Sequence, residues 1–211
     1  MKTFKQLIYA SVLTLCLLFT LFVPATNVNA ASNQTKALTA YQKKLKKLNP
    51  KMYKFALVYL DKDSVPELLI TPKNNAHVSQ SELYIYTNGT LKNLQYAGSD
   101  FGEFIYSTKK SVVCNSSWVN GYGAVFTFYR FNKKGKATKL NRFDAIINPK
   151  TSFKINNKKV SKKKYYSEYK KTVKKYPLKQ ISSTDTFNLT TKNINKLTKN
   201  YKSFVVTGKK Y

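Results

Sequence analysis

Three carboxylates, Asp61, Asp63 and Glu67, fall within seven positions of a chain that carries 38 lysines and arginines and only nine acidic residues. Residue types at this spacing suit three kinds of chemistry. They can supply oxygen ligands to a hard cation. They can act as paired acids in glycoside hydrolysis, which is set by the carboxylate separation. They can also close a turn by accepting backbone N–H bonds. Asp100 and Glu103 form a second acidic pair open to the hydrolytic reading. The chain has no phosphate-cradling glycine loop, no His/Cys metal spacing and no Ser/His/Asp signature. Its single histidine, His77, lies in a polar stretch and is assigned no role. Cys114 follows Val112 and Val113 in an apolar run, where a free cysteine behaves as an inert small hydrophobe.

The acidic turn sits between two short apolar runs in YKFALVYLDKDSVPELLIT, predicting strands over Lys54–Leu60 and Glu67–Thr71. The segment FALVYLDKDSVPELLI resembles the ALxDxDGDGxPELL pattern of uncharacterised secreted proteins from Gram-positive bacteria, which is akin to FG-GAP and EF-hand calcium loops. The resemblance implies ligands at the positions held here by Asp61 and Asp63, with Glu67 as the later acid, and hence a weak calcium site. The sequence departs from that pattern in three places. Tyr59 stands at the first ligand position, Lys62 puts a positive charge inside the loop, and Ser64 replaces a glycine. The alternative is a purely structural turn in which Asp61 and Asp63 accept backbone N–H bonds.

The elements that must hold this turn follow from hydrophobic periodicity. Leu38, Tyr41, Leu45 and Leu48 recur at spacings of three and four, predicting a helix over residues 33–49 that packs on a sheet. LYIY and LKNLQY flank Thr87-Asn88-Gly89-Thr90, the signal of a type I′ hairpin. Further strands are expected over Phe104–Tyr106, Ser111–Cys114, Ala124–Phe131 and Ala137–Phe143, with a small hairpin across Asn156-Asn157. Ser161 reads as the N-cap of a second helix, Lys162–Lys175, with Tyr165, Tyr169, Val173 and Tyr176 on one face. Thr190 or Thr191 opens a third, and the last four residues read as a frayed tail. This order predicts a single α+β domain, an antiparallel sheet with one N-terminal helix and one or two C-terminal helices.

Lys2 and Lys5, the apolar stretch Leu7–Val23, Pro24 and the small residue at Ala30 predict a signal peptide over residues 1–30, with the domain over 31–211. The expected location is extracellular, in association with the cell wall. Cleavage removes Cys16 and leaves Cys114 without a disulfide partner; it removes two lysines and no acid from a formal charge of +29. Only Arg130 and Arg142 are arginine, so the positive charge is of the diffuse lysine kind, poor at fork-like recognition. The partner class this implies is an anionic polymer: wall polymer first, nucleic acid as a variant that two arginines would serve badly for base-specific readout. Trp118, Tyr122 and Tyr129 are the candidate ligand-stacking aromatics among 16 tyrosines and one tryptophan. The functional expectation is a non-enzymatic envelope protein that binds anionic polymers, with an extracellular hydrolase using paired carboxylates as the alternative.

Overall fold

The computed structural model describes residues 26–73, 81–94, 103–119, 123–147 and 150–211. Residues 1–25, with most of the expected signal peptide, lie outside the described residues, as do His77, Asp100, Tyr122 and the side chain of Trp118. Met1–Asn33 and Gln34–Tyr211 are two compact units, the second of which holds all the described strands. Helix α1, Thr26–Leu45, reaches into both. Among the described residues no helix is long and apolar enough to cross a membrane.

The fold is α+β, and its strands form two antiparallel sheets where the sequence predicts one run. Strands β1 (Tyr53–Val58), β2 (Glu67–Pro72), β3 (Glu82–Thr87) and β4 (Thr90–Asn93) make the first sheet, together with β12 (Phe187–Asn188), in the order β12-β1-β2-β3-β4. The second sheet holds β5 (Phe104–Ser107), β6 (Val112–Val119), β7 (Gly123–Phe131), β8 (Ala137–Ile146), β9 (Ser152–Ile155) and β10 (Lys158–Val160). It is completed by β11 (Lys179–Ile181) and β13 (Lys209–Lys210), giving the order β10-β9-β8-β7-β6-β5-β11-β13. Helix α2 spans Lys162–Lys175 and α3 spans Thr191–Lys196.

Period-two alternation stacks these parts into four layers. Phe55 and Leu57 of β1 pack with Leu38, Tyr41 and Leu45 of α1, while Ala56 and Val58 turn to the other face and meet Phe104, Val113 and Phe131 of the second sheet. With both faces covered, β1 and β2 read as almost unbroken apolar runs. The outer face of the second sheet, Val112, Cys114, Phe128 and Phe143, is closed by α2 through Tyr165 and Tyr176. Phe143 sits edge-on to both Tyr165 and Tyr169, at centroid distances of 5.7 and 5.4 Å, the arrangement that aromatic quadrupoles favour.

Both Asn-containing hairpins take the left-handed backbone their sequences call for: Asn88 and Gly89 at φ 52° and 76°, Asn156 and Asn157 at 50° and 67°. Ser161 caps α2 by accepting the Lys164 N–H, and Thr190 caps α3 by accepting that of Asn193. Two expectations are corrected. Helix α1 ends at Leu45, where 3₁₀-type bonds such as Leu48 N–H to Leu45 C=O tighten the chain toward Asn49. The C-terminal residues are not frayed, because Lys209 and Lys210 pair with Gln180 and Lys179, and the Tyr211 N–H donates to Leu178. Two-residue strands such as β12 and β13 are too short for a periodic signal; only the sheet edge they pair with defines them.

Candidate metal centre

The acidic turn joins the paired ends of β1 and β2, where Val58 lies opposite Glu67. Its local structure is set by its own carboxylates. Asp61 Oδ1 accepts the Asp63 N–H at 2.8 Å, and Asp63 Oδ1 accepts the Val65 N–H at 2.8 Å. These successive Asx-turns curl the loop without the glycines of the related pattern. Glu67, only 1% exposed, closes the mouth: its Oε2 accepts the Leu60 N–H at 2.7 Å. Helix α1 holds the far side, with Gln34 Nε2 donating to the Ser64 carbonyl at 2.6 Å and the Tyr41 hydroxyl to that of Pro66 at 2.9 Å.

The three acids chosen from the sequence are brought together. One oxygen from each of Asp61, Asp63 and Glu67 lies within 4.8 Å of the others. Calcium takes oxygens at about 2.3–2.6 Å, so two of its ligands stand up to roughly 5 Å apart. The triangle fits that span. Each aspartate commits one oxygen to the backbone, and the two carboxyl groups also meet each other side chain to side chain. Tyr59, at the first position of the pattern, brings a phenol in place of a carboxylate; that phenol is hydrogen-bonded to Tyr201, and burial with that bond pushes it up to about 12.

Electrostatics mark the same place. Burial pushes the Glu67 carboxyl up to about 8, against the Leu60 N–H, and Asp61 and Asp63 push it further in the same direction. Burial also raises Asp63, with the Val65 N–H opposing and Asp61 adding to it; Lys133 at the β7–β8 turn acts the other way. Like charges crowd a buried acid here, and a bound cation would relieve that repulsion.

Of the aromatic candidates, only the side chain of Tyr129 falls within the described residues. Tyr129 lies six residues along β7 from Gly123, roughly 20 Å at the usual strand rise. It packs against the core between the sheets. Cys114 is buried, and burial alone pushes its thiol far above the ordinary value, in keeping with an inert core residue.

Lysine covers the surface. Helix α2 is half lysine and carries one acid, Glu168, which takes Lys171 at 2.8 Å. Among the described residues the other ion pairs are Arg142–Asp144 and Lys209–Asp185. Phe153 packs at a tilt against Tyr165, ring centroids 5.1 Å apart, and so seats the β9–β10 hairpin beside α2. Exposed Lys158 pairs with Ile155 on the α2 side, while Lys154 and Lys159, paired with each other, alternate to the other face of the sheet. Lys158, Lys159, Lys162 and Lys163 are already neighbours in the sequence. Finding Gln34, Tyr41 and Leu60 as the groups that fix the acidic loop required the tertiary structure.

No family model, curated protein or solved structure matches this chain.

Proposed function

We propose that this is a secreted, non-enzymatic protein of the cell envelope that adsorbs to anionic polymers, wall polymer foremost, through its lysine-rich surface. The acidic loop is a weak calcium site that also braces the β1–β2 connection. The observation that supports adsorption most directly is the α2 face with the adjoining β9–β10 hairpin, where exposed lysines outnumber acids so heavily that almost none finds an ion pair. A dense polyanion supplies the missing charge and releases its counterions, a driving force that needs no fork-like geometry. The hydrolase reading is weaker. Glu67 is tied to its own backbone through Leu60 and lies inside the core, where a polymer substrate has no access.

The test is sedimentation of the protein from Ala31 onward with purified cell walls across a salt series, with and without calcium. Binding should fade steeply as salt rises, and the Lys158, Lys159, Lys162 and Lys163→Gln variant should bind less at every salt concentration. Salt-independent binding, or equal binding by that variant, would overturn the proposal.

A further inference from the structure

A second site lies at the C-terminal end of α2, apart from the acidic loop and from Lys158, Lys159, Lys162 and Lys163. A groove of about 360 Å³ runs between the last turns of α2 and the chain end, with a floor of Tyr169, Val173 and Leu178. Pro177 and Tyr211 complete the lining. This volume is within the range of small-molecule sites, roughly 300–1,000 Å³. Lys170 and Lys174, one turn apart on α2, stand on one rim, and Lys210 of β13 stands on the other. All three are exposed, and among the described residues none has a carboxylate within 4 Å. Glu103 is felt at the Tyr211 phenol but forms no ion pair with these amines. A hydrogen bond joins the phenols of Tyr169 and Tyr211 across the groove.

We infer that this groove binds a small anionic amphiphile, an apolar chain or ring lying on Val173 and Leu178 with a single carboxylate, sulfonate or phosphate held among Lys170, Lys174 and Lys210. An apolar floor favours burial of hydrocarbon, and a rim of uncompensated amines favours one negative head; neither feature alone would select such a molecule. A neutral compound of the same shape forfeits the rim, and a small inorganic anion forfeits the floor. A long polyanion uses the lysines alone, so it is the apolar floor that distinguishes this groove from the adsorbing surface.

The experiment is calorimetric titration with decanoate, decanol and inorganic phosphate at monomeric concentrations, with NMR shifts followed at Tyr169 and Tyr211. Decanoate should bind and shift both tyrosines, and decanol and phosphate should each bind at least about tenfold more weakly. The Lys170, Lys174 and Lys210→Gln variant should lose the preference for decanoate over decanol, while the Lys158, Lys159, Lys162 and Lys163→Gln variant should keep it. Val173→Phe, which fills the floor, should weaken decanoate and decanol alike. Equal affinity for decanoate and decanol, unchanged selectivity in the triple lysine variant, or shifts elsewhere with Tyr169 and Tyr211 unmoved would overturn the inference. The three lysines are exposed, so their replacement tests the site even if Val173→Phe folds poorly.

Discussion

Glu67 Oε2 accepts the backbone N–H of Leu60 at 2.7 Å, so one buried carboxyl spans the two ends of the acidic loop and locks the close of β1 to the start of β2. Removing it leaves a buried donor without a partner, which costs roughly 1–3 kcal/mol. Glu67→Ala should therefore lower the unfolding free energy by about that amount in urea titrations. Glu67→Gln keeps an acceptor for Leu60 and should lose much less.

The same residue sets a pH dependence. Its carboxyl is raised from an ordinary 4.5 to about 8 in the fold, so between those values the folded state holds a proton that the unfolded chain has released. Stability from this group is complete below pH 4.5, falls as pH rises through the window, and is lost above about 8. The slope reaches at most about 1.4 kcal/mol per pH unit. Comparing calcium-free wild type with Glu67→Gln by denaturant melts from pH 4 to 9 isolates this contribution. The difference should favour the variant increasingly with pH; a constant difference would show that Glu67 titrates as an ordinary acid.

Calcium should reverse that trend, because it binds the deprotonated triangle. Thermal melts at pH 8 should rise with millimolar calcium, by an amount equivalent to about 2.7 kcal/mol once calcium reaches a hundredfold excess over its dissociation constant. Magnesium, which requires a tighter octahedral shell, should do less. Asp63→Asn and Glu67→Gln should both blunt the response. A melt indifferent to calcium would leave the loop as a structural turn alone.

Gly123 opens β7 at φ +132°, and a Cβ there would fall 1.9 Å from the Ala145 carbonyl oxygen on β8. Gly123→Ala should destabilise by at least about 1–3 kcal/mol, since it adds backbone strain to a clash with the neighbouring strand. Circular-dichroism melts provide the check. Gly89, also left-handed, has open space around it, so Gly89→Ala should cost less.

Deleting residues 208–211 removes β13 from the edge of β11. The exposed edge of β11 should lower the melting temperature by a few degrees and increase concentration-dependent aggregation in light scattering. A frayed tail would leave both unchanged.

The sequence by itself determined whatever depends on neighbours along the chain. The Asn-Gly and Asn-Asn turns dictate their own backbone, Ser161 and Thr190 announce the helices they cap, and period-two alternation fixes which residues of β3 share a face. The three acids stand close enough in sequence that one short loop must gather them. The tertiary structure decided what depends on elements far apart in the chain. Two sheets form rather than one because β1 and β2 are apolar on both faces and need a layer on each side, which local periodicity does not count. Glu67 is displaced from its ordinary acidity chiefly because the fold buries it at the loop's mouth, with Asp61 and Asp63 adding to the shift. The groove at Tyr169 exists only because the last strand returns to β11 and carries Lys210 to the side of α2, across a separation that no spacing rule spans.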